Sequence, residues 1–166
     1  SKLAGNAQAD ITGLIGQYAH GNEPSHHIAY LYNYTGSPEK TAVIVDSILY
    51  HYYHNAPDGL SGNEDCGQMS SWFVFSSLGL YPVSPGTGIY DFGRPLFKSA
   101  DLRLENNKQI RITAVNNSRT NKYIQGIQVD GKPFKKRYIA QAELEGLTLL
   151  TCDKALRDFP CKVLWD

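Results

Sequence analysis

Residues 21 to 27, GNEPSHH, put an amide, a carboxylate and two imidazoles into one short stretch interrupted by a proline. Asn22 and Glu23 are hard oxygen donors, which suit Ca2+ or Mg2+ better than a softer metal. His26 and His27 are adjacent, and neighbours on a helix point about 100° apart, so the pair does not by itself form a zinc site. The HExxH spacing is absent from the chain. A second polar stretch, DGLSGNEDCGQMSSW at residues 58 to 72, carries Asn63, Glu64 and Asp65. A hydrolase working by general acid and base needs carboxylates fixed by rigid elements, and loops at one end of a helical array supply that geometry. Glu23, Glu64 and Asp65 are the candidates.

Each group also has a purely structural reading. Asn22-Glu23-Pro24 fits a capped helix start. Glu64 and Asp65, ahead of an apolar segment, fit partners of a helix dipole. The histidines can be packed or hydrogen-bonded, and Trp72 can be core. Neither stretch alone decides between these readings.

The elements that must carry the two stretches read first as helices. SPEKTAVIVDSILYHYYHN, from Ser37, offers a capping serine, a proline suited to the first helical position and Glu39 at the positive end. Ile44, Val45, Ile48, Leu49 and Tyr52 then form one apolar stripe, with a stop expected near Asn55. PSHHIAYLYNYTG predicts a shorter helix ending at Gly36, with Ile28, Leu31 and Tyr32 on one face. GQMSSWFVFSSLGLYP predicts a helix buried on most sides through Met69, Trp72, Phe73, Val74, Phe75 and Leu78, closing at Gly79 or Pro82. After residue 86 the texture turns to strands. QIRITAVN alternates at period two, YIQGIQVDGKPF predicts a hairpin turning at Asp130-Gly131, and LTLLTC is a further short strand. The expected class is α+β: helices over residues 1–85, then a strand-rich, β-sandwich-like segment over 86–166.

Composition excludes several classes of function. Hydrophobic residues make up 42% and charged residues 19% of 166 residues, the profile of a chain able to bury a core. The formal net charge is zero, which shows no footprint for nucleic acid, and no apolar run reaches membrane-spanning length. Residues 1–95 hold eight acidic and three basic side chains, and 96–166 hold eight acidic and thirteen basic, so the halves differ in sign. Cys66, Cys152 and Cys161 make no disulfide framework or CxxC site, and whether Cys152 pairs with Cys161 stays open. The chain starts at Ser1, without a methionine or leader, and reads as an internal start within a longer protein.

Taken together and in order, GNEPSHHIAYLYNYTGSPEKT and PDGLSGNEDCGQMSSWFVFSSLGLYPVSPGTGIYDFGRPLF resemble the C-terminal part of glycoside hydrolase family 92, the calcium-dependent exo-acting α-mannosidases. The resemblance runs from about Asp10 to Phe97. It implies an N-terminal β-sandwich joined to an (α/α)6 toroid, of which residues 1–85 would be part, with the active site between them. It also implies Ca2+ at the sugar hydroxyls and release of terminal α-mannose, with inversion, from N-glycans or yeast mannan. Carried onto this sequence, Asn22, Glu23 and Asp65 become metal ligands, and Asp65 the general base that activates water. His26, His27 and Glu64 become substrate-binding or supporting residues. Asn63 stands where some members have an aspartate; an amide does not accept the proton, but it can orient water or bind metal. The general acid belongs to an EGNxxQY-like motif that these residues lack, which places it before Ser1 and implies an inactive fragment. The implied partners are a mannose-containing glycan and the remainder of the polypeptide, and the implied location is periplasmic, cell-surface or secreted. A carbohydrate-binding or structural module is the alternative, with Tyr90, Phe92, Tyr123 and Tyr138 as its available aromatics.

Overall fold

A computed structural model describes residues 11–105 and 107–144, together with the backbone of 145, 148–150 and 162–164. Helix α1 spans Pro38–His51 and helix α2 Gln68–Leu78. Ahead of them stand a small antiparallel pair, β1 (Leu14–Ile15) with β2 (Tyr18–Ala19), and two 3-10 turns at Glu23–Ser25 and Ile28–Asn33. Helix and strand are thus mixed along the chain.

The strands after α2 form separate ladders. β3 (Leu80–Tyr81), β4 (Ile89–Phe92) and β9 (Tyr138–Ala140) make a three-stranded antiparallel sheet in the order β3-β4-β9. β5 (Ser99–Arg103) pairs with β6 (Gln109–Thr113), and β7 (Ile127–Val129) with β8 (Lys132–Phe134). The β7–β8 turn is the expected Asp130-Gly131, with φ of 49° and 72°, the left-handed pair that a two-residue hairpin demands. A short helix, α3 (Gln141–Glu145), follows β9. β10 (Thr148–Leu150) lies parallel to β11 (Lys162–Leu164), so a strand is found within LTLLTC. Cys152 and Cys161 lie outside the described residues.

The core gathers where α1, α2, β3 and the second 3-10 turn meet. Ala29, Tyr30, Val45, Ile48, Leu49, Trp72 and Tyr81 are buried there as one cluster. Tyr30 stacks on Tyr81 at 4.8 Å and donates its hydroxyl proton to Ser76 Oγ at 2.8 Å. Trp72 stacks parallel on Tyr53 at 6.0 Å. Removing a side chain of that size from such a site costs about 3–5 kcal/mol.

Four sequence expectations are corrected. The helix expected after Pro24 is instead two 3-10 turns, and its faces are reversed. Ile28, Leu31 and Tyr32 are about 40% exposed while Ala29, Tyr30 and Asn33 face inward. With about three residues per turn, i and i+3 share a face, so Tyr30 and Asn33 point in together and Ile28 and Leu31 point out. Helix α1 ends at His51 rather than near Asn55, because Tyr53 leaves the helix to bridge Leu60. Ser37 stands at its N-cap position without a side-chain capping bond. Helix α2 stops at Gly79 as expected but is not buried all round. Val74 is 54% exposed and Phe73 and Phe75 are half-buried, while the polar Ser76 and Ser77 are inside.

Candidate active site

The two polar stretches, about forty residues apart in sequence, touch in space. A Cβ placed on Gly21 would lie 2.6 Å from the Ser61 carbonyl oxygen, and one on Gly62 would lie 3.1 Å from Gly21 Cα. Only two bare backbones fit this closely. Farther along, Gln68 Nε2 donates to His26 Nδ1 at 3.0 Å, and Trp72 Nε1 donates to the His26 carbonyl at 3.2 Å. The first turn of α2 is therefore fastened to the loop that carries Asn22 and Glu23.

The hydrogen bonds fix the protonation of two buried histidines. His26 Nε2 lies 2.9 Å from the His20 carbonyl, which only accepts, so Nε2 holds the proton and Nδ1 accepts from Gln68. Tyr53 gives its hydroxyl proton to the Met69 carbonyl at 3.1 Å and accepts from His20 Nε2 at 2.7 Å. That leaves His20 Nδ1 to accept from the Tyr18 hydroxyl, also at 2.7 Å. Burial pushes His20 down to about 3, with the neighbouring His26 adding to the effect, and burial also lowers His26. Both imidazoles are neutral and stack with centroids 4.7 Å apart.

The named candidates occupy distinct places. Asn22 is exposed, and its carbonyl accepts from Ser25 N at 3.0 Å and Ser25 Oγ at 2.7 Å. Glu23 is half-buried at the start of a 3-10 turn. His26 is 1% exposed and His27 half-buried. Asn63 is exposed. Glu64 takes the helix-cap role, with Oε1 accepting from Ser70 N at 2.9 Å and Oε2 from Ser70 Oγ at 2.7 Å. This satisfies one of the orphan N–H groups at the start of α2. Asp65 and Cys66 are both exposed and both left-handed, at φ of 49° and 56°. Two successive non-glycine residues in that region store backbone strain, which collects at ligand and catalytic sites. Tyr18, His20, Tyr53 and Gln68, which tie the stretches together, were not singled out from sequence. The adjacency of Tyr18 and His20 to GNEPSHH was the only available signal.

For a metal, the chemistry of the donors suits a hard cation, since Asn22 and Glu23 offer oxygen. Among the described residues no group of three or more His, Cys, Asp or Glu is placed to hold one. Ca2+ takes about six to eight oxygens, so these residues furnish part of a shell. Among the described residues no helix is long and apolar enough to cross a membrane.

Comparison with known proteins adds an independent line. The sequence profile of the glycosyl hydrolase family 92 catalytic domain matches residues 2–152. An α-mannosidase of that family from Bacteroides thetaiotaomicron, solved with mannoimidazole, superposes with a TM-score of 0.78 at 46% identity, over 81% of this chain and 18% of that one. An inverting mannosidase of the same family and organism gives 0.73 at 40% identity, over 80% of this chain and 18% of that one. An uncharacterized secreted glycosidase of Arthroderma benhamiae is 30% identical over 122 residues, 72% of this chain and 16% of its own length. The chain thus spans less than a fifth of each of these relatives.

Proposed function

Since this chain belongs to glycosyl hydrolase family 92, we propose that the whole protein hydrolyses terminal α-mannosidic linkages, and that these residues supply the water-activating side of its site. The observation that carries the reading is the strained turn at Asp65, held against the Asn22–Glu23 loop through the Gly21–Gly62 contact and the Gln68–His26 hydrogen bond. Asp65 is the general base. An exposed carboxylate at the tip of a rigid turn can accept a proton from water without reorganising its support. Asn63 orients that water or the metal, and His27 and Glu64 line the sugar side, with His26 supporting them from below.

Asn22, Glu23 and Asp65 hold Ca2+ together with ligands from the rest of the protein. When bound, the ion neutralises charge and orients hydroxyl oxygens. An inverting reaction also needs a carboxylic acid about 6.5–9.5 Å from the base, leaving room for water. We place that acid outside these residues, so the isolated chain is inactive. In the same reading residues 1–85 form part of an (α/α)6 toroid and 86–166 a β-sandwich-like segment. The protein works in the periplasm, at the cell surface or outside the cell, on mannose-containing glycans.

The test is to incubate the full-length protein with an α-1,2-linked mannobiose and follow the first product by NMR. Release of mannose that appears first as the β-anomer supports the reading. Release of the α-anomer overturns the inverting mechanism, and no release with Ca2+ present, from this or from α-1,3- and α-1,6-linked mannobiose, overturns the α-mannosidase reading.

A further inference from the structure

Resting on the reading just given, we infer that His20 is a positioning residue that sets the register of the Asn22–Glu23 loop against the Asp65 turn. No solvent reaches it: its exposure is 0%, so it touches neither substrate nor bulk water. Its backbone anchors the loop first. His20 N donates to the Gly13 carbonyl at 3.0 Å, Gly21 N to the Thr12 carbonyl at 3.1 Å and Asn22 N to the Ala19 carbonyl at 3.2 Å. The His20 carbonyl then receives the His26 Nε2 proton at 2.9 Å, which closes residues 20 to 26 into a ring around Asn22 and Glu23.

The imidazole carries this ring to the opposite loop. His20 Nε2 donates to Tyr53, Tyr53 donates to the Met69 carbonyl, and Met69 N donates to the Glu64 carbonyl at 3.2 Å, one residue before Asp65. This polar chain runs from the loop of the proposed metal ligands to the proposed base, through the fully buried His20 and the half-buried Tyr53. Around it, His26 stacks on one side and Trp72 meets the His20 ring edge-on at 4.5 Å, so neither partner can swing aside. An aliphatic side chain of similar size fills the space but neither donates to Tyr53 nor accepts from Tyr18, leaving two half-buried hydroxyls each short of one partner. Since displacement of a catalytic group by about 1 Å costs about a hundredfold in rate, register is what the chain protects.

The experiment compares full-length wild type with His20→Leu, His20→Gln and Tyr53→Phe. Each is measured for melting temperature, Ca2+ affinity by calorimetry without substrate, hydrogen exchange of amides 20–27, and kcat and KM on an α-mannoside. Gln is the conservative rescue, because its amide can donate toward Tyr53. The expected result is a loss of about a hundredfold in kcat/KM for His20→Leu, with most of it regained in His20→Gln. Tyr53→Phe, which keeps the stacking, should melt within a few degrees of wild type yet show weaker Ca2+ binding and faster exchange over 20–27. If His20→Leu and Tyr53→Phe only lower the melting temperature and leave Ca2+ affinity, kcat and KM at wild-type values, His20 is structural and the inference is overturned. A wild type that neither binds Ca2+ nor cleaves the mannoside overturns the proposed function itself, and with it this inference.

Discussion

Arg94 Nη1 stands 2.9 Å from Asp46 Oδ1, with the two side chains only 2% and 9% exposed, so a charge on α1 is matched by one from the segment after β4. The two atoms are close without meeting the angular requirement of a hydrogen bond. Lys122 adds a second cation at 3.3 Å from Asp46 Oδ2, and Arg94 Nη2 donates to the Ser118 carbonyl at 3.1 Å. One carboxylate thus draws two distant segments onto the helix. Asp46→Ala should destabilise the protein by about 3–5 kcal/mol, because Arg94 is left buried without its counter-ion. Melting by calorimetry checks this; a loss under about 1 kcal/mol would show that the guanidinium finds other partners.

Asp65→Asn in the full-length protein should abolish turnover while leaving the fold unchanged. General-base catalysis contributes about 10²- to 10⁴-fold, and an amide cannot take the proton of water. Asn is also among the residues that best tolerate a left-handed backbone, so the turn itself survives. Near-normal kcat with an unchanged melting curve would assign Asp65 a structural role.

Asp91, in β4 and 3% exposed, accepts from the Tyr34 hydroxyl at 2.8 Å. Burial raises its pKa above the ordinary 3.8, against the lowering effect of hydrogen bonds from Tyr34 and Asn33. The folded state therefore holds this proton more tightly than the unfolded chain. Its contribution to stability is full below pH 3.8 and is lost as pH rises through the raised value. Asp91→Asn stays neutral throughout. The stability difference, variant minus wild type, should grow from about pH 4 upward, at no more than about 1.4 kcal/mol per pH unit, and then level off. Melting temperatures across a pH series read it, and a difference that shrinks with rising pH contradicts the assignment.

What could be read from the sequence was local. Pro38 at the first helical position, Gly79 as a stop and Asp130-Gly131 as a turn each act through their own backbone, and each is found where expected. The face of residues 28 to 33 is not legible locally, because its orientation is set by distant partners. Tyr30 is drawn in by Ser76 and Tyr81, and Asn33 by the Phe92 carbonyl, which Asn33 Nδ2 reaches at 3.0 Å. The candidate site divides in the same way. Asn22, Glu23, Glu64 and Asp65 could be named from residue type, whereas Gln68 and His20 owe their part to contacts across tens of residues. Glu64 reads from sequence as a partner of the helix dipole, and its hydrogen bonds from Ser70 add a capping role.

The contact between Gly21 and Gly62 has a consequence for how such a protein can change over generations. A codon change that alters a glycine adds at least a Cβ, and at Gly21 that carbon meets the Ser61 carbonyl and Thr12 Oγ1. At Gly62 the backbone is left-handed at φ of 104° as well, which side chains resist. Neither position can drift alone, because relief requires one loop to retreat from the other and so separates Glu23 from Asp65. Random mutagenesis scored on growth with a mannoside as carbon source should leave both residues as glycine among survivors, while Gly86 and Gly126, with no atom within 4 Å of an added Cβ and no left-handed backbone, gather substitutions more freely.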